Sequence, residues 1–309
     1  MSIVFEILFN DLFSNISTID GLTPTSNKYA LSFINDFEDR KWRYDKFQNF
    51  IWDNMADTAL SHRERSNLVD QSHTKLVEAA KNLRLTDKND DIGSGSEIAE
   101  IVLYGIMKHH YEALSVVPKI FYKQNTQDNA KGADSVHIVI DDNRFSLWIG
   151  EAKFFNSIED ARLDKIIASV ENSLDTQKLK KENSIILNVS DLDSLGLSEN
   201  IRMQIKETLS NRNSIDNIKP LLHIPILILH ECTITKNNYE LSNIYRQSII
   251  DYHRDRATSY FKKQISRLKA IPRYKEITFH LILFPVPDKN VIVDRFINNV
   301  SFYRGKKSD

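Results

Sequence analysis

The stretch Phe145-Ser146-Leu147-Trp148-Ile149-Gly150-Glu151-Ala152-Lys153 alternates as a β-strand does. With a side-chain period of two, Phe145, Leu147, Ile149, Glu151 and Lys153 share one face. Along that face apolar residues give way to a carboxylate and then to an ammonium. Such charges are costly at the end of a buried face unless each has a partner. Just upstream, Ser135–Ile140 is a second strand-like run. Between the two, Asp141-Asp142-Asn143-Arg144 reads as a hairpin turn, because Asp and Asn tolerate left-handed backbone. A two-residue loop pairs Asp141 with Arg144, and a four-residue loop pairs Ile140 with Phe145. Both give the same register, which carries Asp134 opposite Glu151. Their Cβ atoms should then be roughly 4.5–5.5 Å apart. Two carboxylates that close repel unless a proton or a cation lies between them.

Oxygen donors suit hard cations, and Mg²⁺ commonly takes one or two carboxylates plus water and substrate phosphate. Mg²⁺ or Mn²⁺ is therefore the expected cofactor. An ion held there can polarise a phosphodiester, and Lys153 on the same face can stabilise the charge that develops. An E-x-K triplet alone is common in surface hairpins. Asp134 in register, with Ile149 and Phe154 bracketing the triplet, distinguishes this one. A helix expected over Ser96–Tyr111 adds a candidate. Ile98, Ile101, Val102, Gly105 and Ile106 make its buried face, while Glu100, Tyr104 and Lys108 continue a polar stripe. Glu97, at the border, suits either metal support or the positive end of the helix dipole.

Glycines direct attention to the same places. The chain has only eight, where an average composition of roughly 7% would give about twenty. Four of them, Gly93, Gly95, Gly132 and Gly150, flank these segments. Elsewhere Ser26–Leu85 looks helical, with Leu68, Leu76, Ala79, Ala80 and Leu83 near one face. The polar, glycine-bearing run Thr86–Gly95 is the best boundary. It divides a mainly helical N-terminal region, 1–92, from an α/β domain, 93–309. Further strands are expected at Val116–Lys123, Ser184–Val189, Ile224–His230 and Ile277–Phe284. Helices are expected at Ser157–Leu174 and Tyr245–Ala270.

Composition is that of an ordinary globular protein, with 41% hydrophobic and 27% charged residues. Forty-one basic residues nearly cancel forty-two acidic ones, so any basic surface is local. Nine Lys or Arg against two Asp between Arg246 and Lys275 form the one marked excess, suited to DNA phosphates, to a protein partner or to plain solvation. A single cysteine, Cys232, excludes an internal disulfide and a cysteine-rich zinc site, and fits the cytoplasm. The opening Ser2–Phe13 lacks the basic start of a signal peptide. No apolar run approaches the roughly 18 residues of a membrane span. No phosphate-binding loop of the G-x-x-x-x-G-K type occurs, so no nucleotide cofactor is expected on this chain.

Glu97 on a helix, Asp134 on a strand and Glu151-Ala152-Lys153 on the next follow the layout of the PD-(D/E)xK nuclease superfamily. More specifically, GSGSEIAEIVLYGIMKHH, KGADSVHIVI and LWIGEAKFF resemble the HamA family, nuclease subunits of the Hachiman antiphage defence system. The likeness is good from Gly93 to Leu174 and looser elsewhere, and Ala133 stands where the superfamily pattern has proline. The resemblance implies a central mixed sheet flanked by helices, and metal-supporting or catalytic roles for Glu97, Asp134, Glu151 and Lys153. It also implies DNA as substrate, and a superfamily-two DNA helicase (HamB-like) as a partner that restrains the nuclease, with the region before Gly93 as the expected interface. The rival reading is a nuclease-fold regulatory or DNA-binding subunit. The intact Asp134 and Glu151-x-Lys153 set favours catalysis.

Overall fold

In the computed structural model, described for residues 3–16, 22–84, 95–122, 132–188 and 190–305, strands and helices alternate. The first elements are β1 (Glu6–Leu12), α1 (Phe13–Ile16), β2 (Lys28–Ile34), β3 (Phe37–Glu38) and β4 (Lys41–Trp42). Helices α2 (Tyr44–Ala59), α3 (His62–Asn67), α4 (Ser72–Asn82) and α5 (Ser96–His110) follow. Next come β5 (Leu114–Val117), α6 (Lys119–Tyr122), β6 (Ser135–Asp141) and β7 (Arg144–Phe155). Then α7 (Asp160–Ser173), α8 (Thr176–Asn188), α9 (Glu199–Thr208) and α10 (Ile215–Ile218) lead to β8 (Leu222–Glu231). The chain continues through α11 (Thr233–Lys236), α12 (Asn243–Leu268), β9 (Thr278–Val286) and α13 (Lys289–Tyr303).

Seven strands form one mixed sheet in the order β1-β2-β9-β8-β7-β6-β5. The four central strands, β2, β9, β8 and β7, run parallel, and both margins are antiparallel. Parallel strands are covered on both faces and so read as nearly continuous apolar runs, as β8 and β9 do. Alternation sorts their side chains. Ile224, Ile226 and Ile228 join Leu147, Ile149, Leu163, Ile166, Tyr260 and Phe261 in a core beneath α7 and α12. Leu227, Leu229, Ile282 and Phe284 join Phe47, Ile51, Ile101, Val102 and Phe296 in a second core beneath α2, α5 and α13. The molecule is thus an α/β three-layer arrangement, and the carboxylate-bearing strand β7 lies inside its sheet.

Three expectations are corrected. The stretch after Ser26 opens as a strand, not a helix. β2 is buried on both faces, so its apolar run lacks the alternation that marks a half-buried strand. β2, from before position 92, pairs with β9, from after it; positions 85–94, which hold most of the expected boundary run, lie outside the described residues. Val116–Lys123 is only briefly a strand. Pro118, which lacks an amide proton, ends β5 and precedes the turn of helix α6. Ser184–Val189 belongs to helix α8 as far as Asn188. Buried Leu179, Glu182, Asn183 and Ile186 there recur at the spacing of one helical face. No helix among the described residues is long and apolar enough to cross a membrane.

Candidate active site

The hairpin forms in the expected register. Asp142 and Asn143 make a two-residue turn with φ of 43° and 65°, and Asp141 faces Arg144. The ladder runs to Ser135 opposite Gly150. One step further the Asp134 amide donates to the Gly150 carbonyl (2.9 Å), which brings Asp134 beside Glu151 and Lys153. Gly150 allows close packing here, since a Cβ would overlap Ser135 Oγ and press on Leu103.

The lysine ammonium sits between the two carboxylates, 3.1 Å from Asp134 Oδ2 and 3.7 Å from Glu151 Oε2. Asp134 Oδ2 also accepts from the Ala152 amide (3.0 Å). Helix α7 supplies the other partners of Glu151. Ser169 Oγ donates to Oε2 at 2.5 Å, and Ser173 Oγ donates to Oε1. The side chain of Glu151 is 4% exposed and that of Lys153 26%, so Lys153 is the more exposed of the two. Burial pushes the Glu151 carboxyl up and Asp134 adds to the rise, while Lys153 and the two serines oppose it. Burial alone would pull Lys153 down, but Asp134 and Glu151, with Glu100 behind them, outweigh it and hold the ammonium above its usual range.

Glu100, one turn beyond Glu97, is the α5 carboxylate directed at this site. It is buried, and with Tyr104, Lys119, Asp134, Ser135 and His137 it lines a small cleft behind Asp134. Glu97 instead sits at the start of α5, where its Oε1 accepts from the Arg84 amide at 2.6 Å. The structure therefore brings Asp134, Glu151 and Lys153 together and leaves Glu97 outside that group. The sequence signal for Glu100 was its place in the stripe with Tyr104; nothing local singled out Ser169, Ser173 or Lys119.

Among the described residues no group of three or more His, Cys, Asp or Glu side chains could by itself hold a metal ion. Two carboxylates, with water and a substrate phosphate completing the shell, are what Mg²⁺ usually accepts. The donor set at Asp134 and Glu151 fits such an ion, and the ammonium between them shows that the oxygens already accommodate positive charge.

The basic segment is largely satisfied internally. Arg256 and Lys263 on α12 pair with Asp160 and Asp164 on α7, and Arg267 pairs with Glu171. Arg246 pairs with Glu6, and Arg273 with Glu276. The first three of these contacts dock α12 onto α7, the helix that carries Ser169 and Ser173. They account for five of the nine cations that suggested a DNA-binding face.

Compared with known proteins, the sequence model of the HamA family matches residues 8–300 of the 309. No curated protein matches.

Proposed function

The chain belongs to the HamA family, a component of the Hachiman antiviral defence system, and on that premise we propose that it is a divalent-metal-dependent DNA endonuclease with a PD-(D/E)xK centre. The observation that carries this reading is the Lys153 ammonium held between Asp134 and Glu151 on adjoining strands. Asp134 and Glu151 would hold Mg²⁺ or Mn²⁺ through their oxygens, with Glu100 adding negative potential from α5. When bound, the ion supplies Lewis-acid polarisation of the scissile phosphodiester. Ser169 and Ser173 keep the Glu151 carboxylate oriented and oppose its protonation. Lys153, the most exposed of the three, is placed to donate to a phosphate oxygen and offset charge developing there. Cleavage is proposed to have little sequence preference.

We propose, on the basis of family membership, that a superfamily-two helicase partner restrains the nuclease until it is needed. The test is incubation of purified protein, with and without that helicase, on plasmid DNA plus Mg²⁺. Cleavage should vanish in Glu151→Ala and in Lys153→Ala while the circular-dichroism spectrum is unchanged. Wild-type cleavage by either folded variant would remove the assignment.

A further inference from the structure

We propose that Glu182, paired with Lys119, is a positioning residue that sets the place of Asp134, an inference that rests on the metal-site reading above. Glu182 comes from α8 and Lys119 from α6, both remote in sequence from the carboxylate hairpin. Lys119 Nζ lies 2.5 Å from Glu182 Oε2, and both side chains are buried, at 3% and 4% exposure. The other oxygen, Oε1, accepts from the Ala133 amide at 3.1 Å. Asp134's own amide donates to Gly150. Two consecutive amides are thus fixed, one to the sheet and one to Glu182, and the Asp134 side chain leaves the backbone between those anchors and Lys153. Gly132 completes the device, because a Cβ there would overlap Glu182 Oε1.

Burying two charges is expensive, and apolar replacements of similar volume are often neutral or stabilising. Glu182 does not reach the Lys153 ammonium, so it acts through the backbone. A carboxylate that grips the amide preceding a metal-binding residue does what outer-shell groups do in metal sites, where their loss typically weakens metal binding 10–100-fold.

The decisive variant is the double substitution Lys119→Met/Glu182→Leu, which removes both charges of the pair. Glu182→Gln and Gly132→Ala accompany it. Mn²⁺ affinity is measured by calorimetry, stability by urea titration and cleavage on plasmid DNA. The double variant should fold, with some loss of stability because the buried Ala133 amide loses its acceptor, and bind Mn²⁺ roughly 10–100-fold more weakly, and cleave correspondingly less. Glu182→Gln leaves one oxygen for two donors, the Lys119 ammonium and the Ala133 amide, and should weaken Mn²⁺ binding less than the double variant does. Gly132→Ala, which displaces Glu182 without altering it, should reproduce the defect. Wild-type Mn²⁺ affinity in the folded double variant overturns this inference alone. A wild-type protein that binds no Mn²⁺ overturns the metal-site reading, and this inference with it.

Discussion

Acid should unfold this protein through its histidines. His137, His230, His253 and His280 are buried, and His223 is largely so. Burial pulls His137 down to about 3, and His223 and His230 to about 4. His253 and His280 lie well below the usual value, first through burial and then through their histidine neighbours. Four of the rings form two hydrogen-bonded pairs, His223–His280 at 3.0 Å and His230–His253 at 3.1 Å, each needing one proton between two nitrogens. His230 Nδ1 faces the Glu231 carbonyl and must carry a proton, so His253 Nε2 donates to His230 Nε2 and Ser32 donates to His253 Nδ1. At pH 7.5 folded and unfolded chains are both neutral at these rings, and the full stability is present. Below about 6.5 the unfolded chain takes up protons that the folded one refuses, and stability falls until the folded values are reached. By pH 5 each such histidine should cost about 2 kcal/mol, being about 1.5 pH units at about 1.36 kcal/mol each. Five together approach 10 kcal/mol, against a total stability of about 5–15 kcal/mol. Glu151, whose pKa is raised, works the other way but is a single group. Urea titrations followed by tryptophan fluorescence at pH 7.5, 6.5, 5.5 and 5.0 give the slope. His137 is the cleanest probe, since neither ring nitrogen has a hydrogen-bond partner among the described residues. His137→Phe should reduce the loss between pH 7.5 and 5.0 by about 2 kcal/mol. A total loss below about 2 kcal/mol, or an unchanged slope in His137→Phe, would refute the reasoning.

Three further outcomes bear on the site. Glu100→Gln should weaken Mn²⁺ binding in calorimetry, whereas Glu97→Gln should leave it unchanged and cost about 0.5–1 kcal/mol in urea stability, through its contact at the helix start. Asp134→Asn keeps an acceptor for the Ala152 amide but loses the ion pair with Lys153. The metal-free protein should lose about 1–2 kcal/mol, discounted for the partial exposure of the lysine, and Mn²⁺ should no longer raise its melting temperature. Ser173→Ala removes a donor that holds the Glu151 carboxyl down, so the pH at which Mn²⁺ binding is half lost should move upward in a pH series.

The hairpin was legible because turn chemistry and a period of two determine register locally. Both loop lengths open to Asp141–Arg144 gave one register, and Asp134 followed from counting. The helix carboxylate was harder. Glu97 answered to a capping rule, whereas Glu100 lies between Ala99 and Ile101 on a helix buried from Ile98 to Met107, where a charge looks out of place until the cleft around it is seen. Ser169, Ser173, Lys119 and Glu182 reach the site from α7, α6 and α8, and no local pattern announces such meetings. β2 was missed because strands buried on both faces lose their alternation, and α8 because three adjacent apolar residues, Ile185 to Leu187, suit either element. The charge excess from Arg246 to Lys275 was visible, but the pairing of Arg256, Lys263 and Arg267 with α7 depends on which helix lies alongside.

One pairing in the sheet governs when a new molecule can finish folding. Lys28 aligns with Phe279 and Ser32 with Leu283, so β2 must wait for a neighbour about 250 residues later. At a synthesis rate of about 5–20 residues per second, that wait lasts about 12–50 seconds on the ribosome. During it β1 and β2 can form only a lone hairpin, which is marginal in water. β6, β7 and β8 are all made before β9, so the strand bearing Glu151 and Lys153 acquires both neighbours before β9 can join β1 and β2 to the sheet. A ribosome stalled before residue 278 would hold a chain with β8 unpaired on one side, a template for wrong partners.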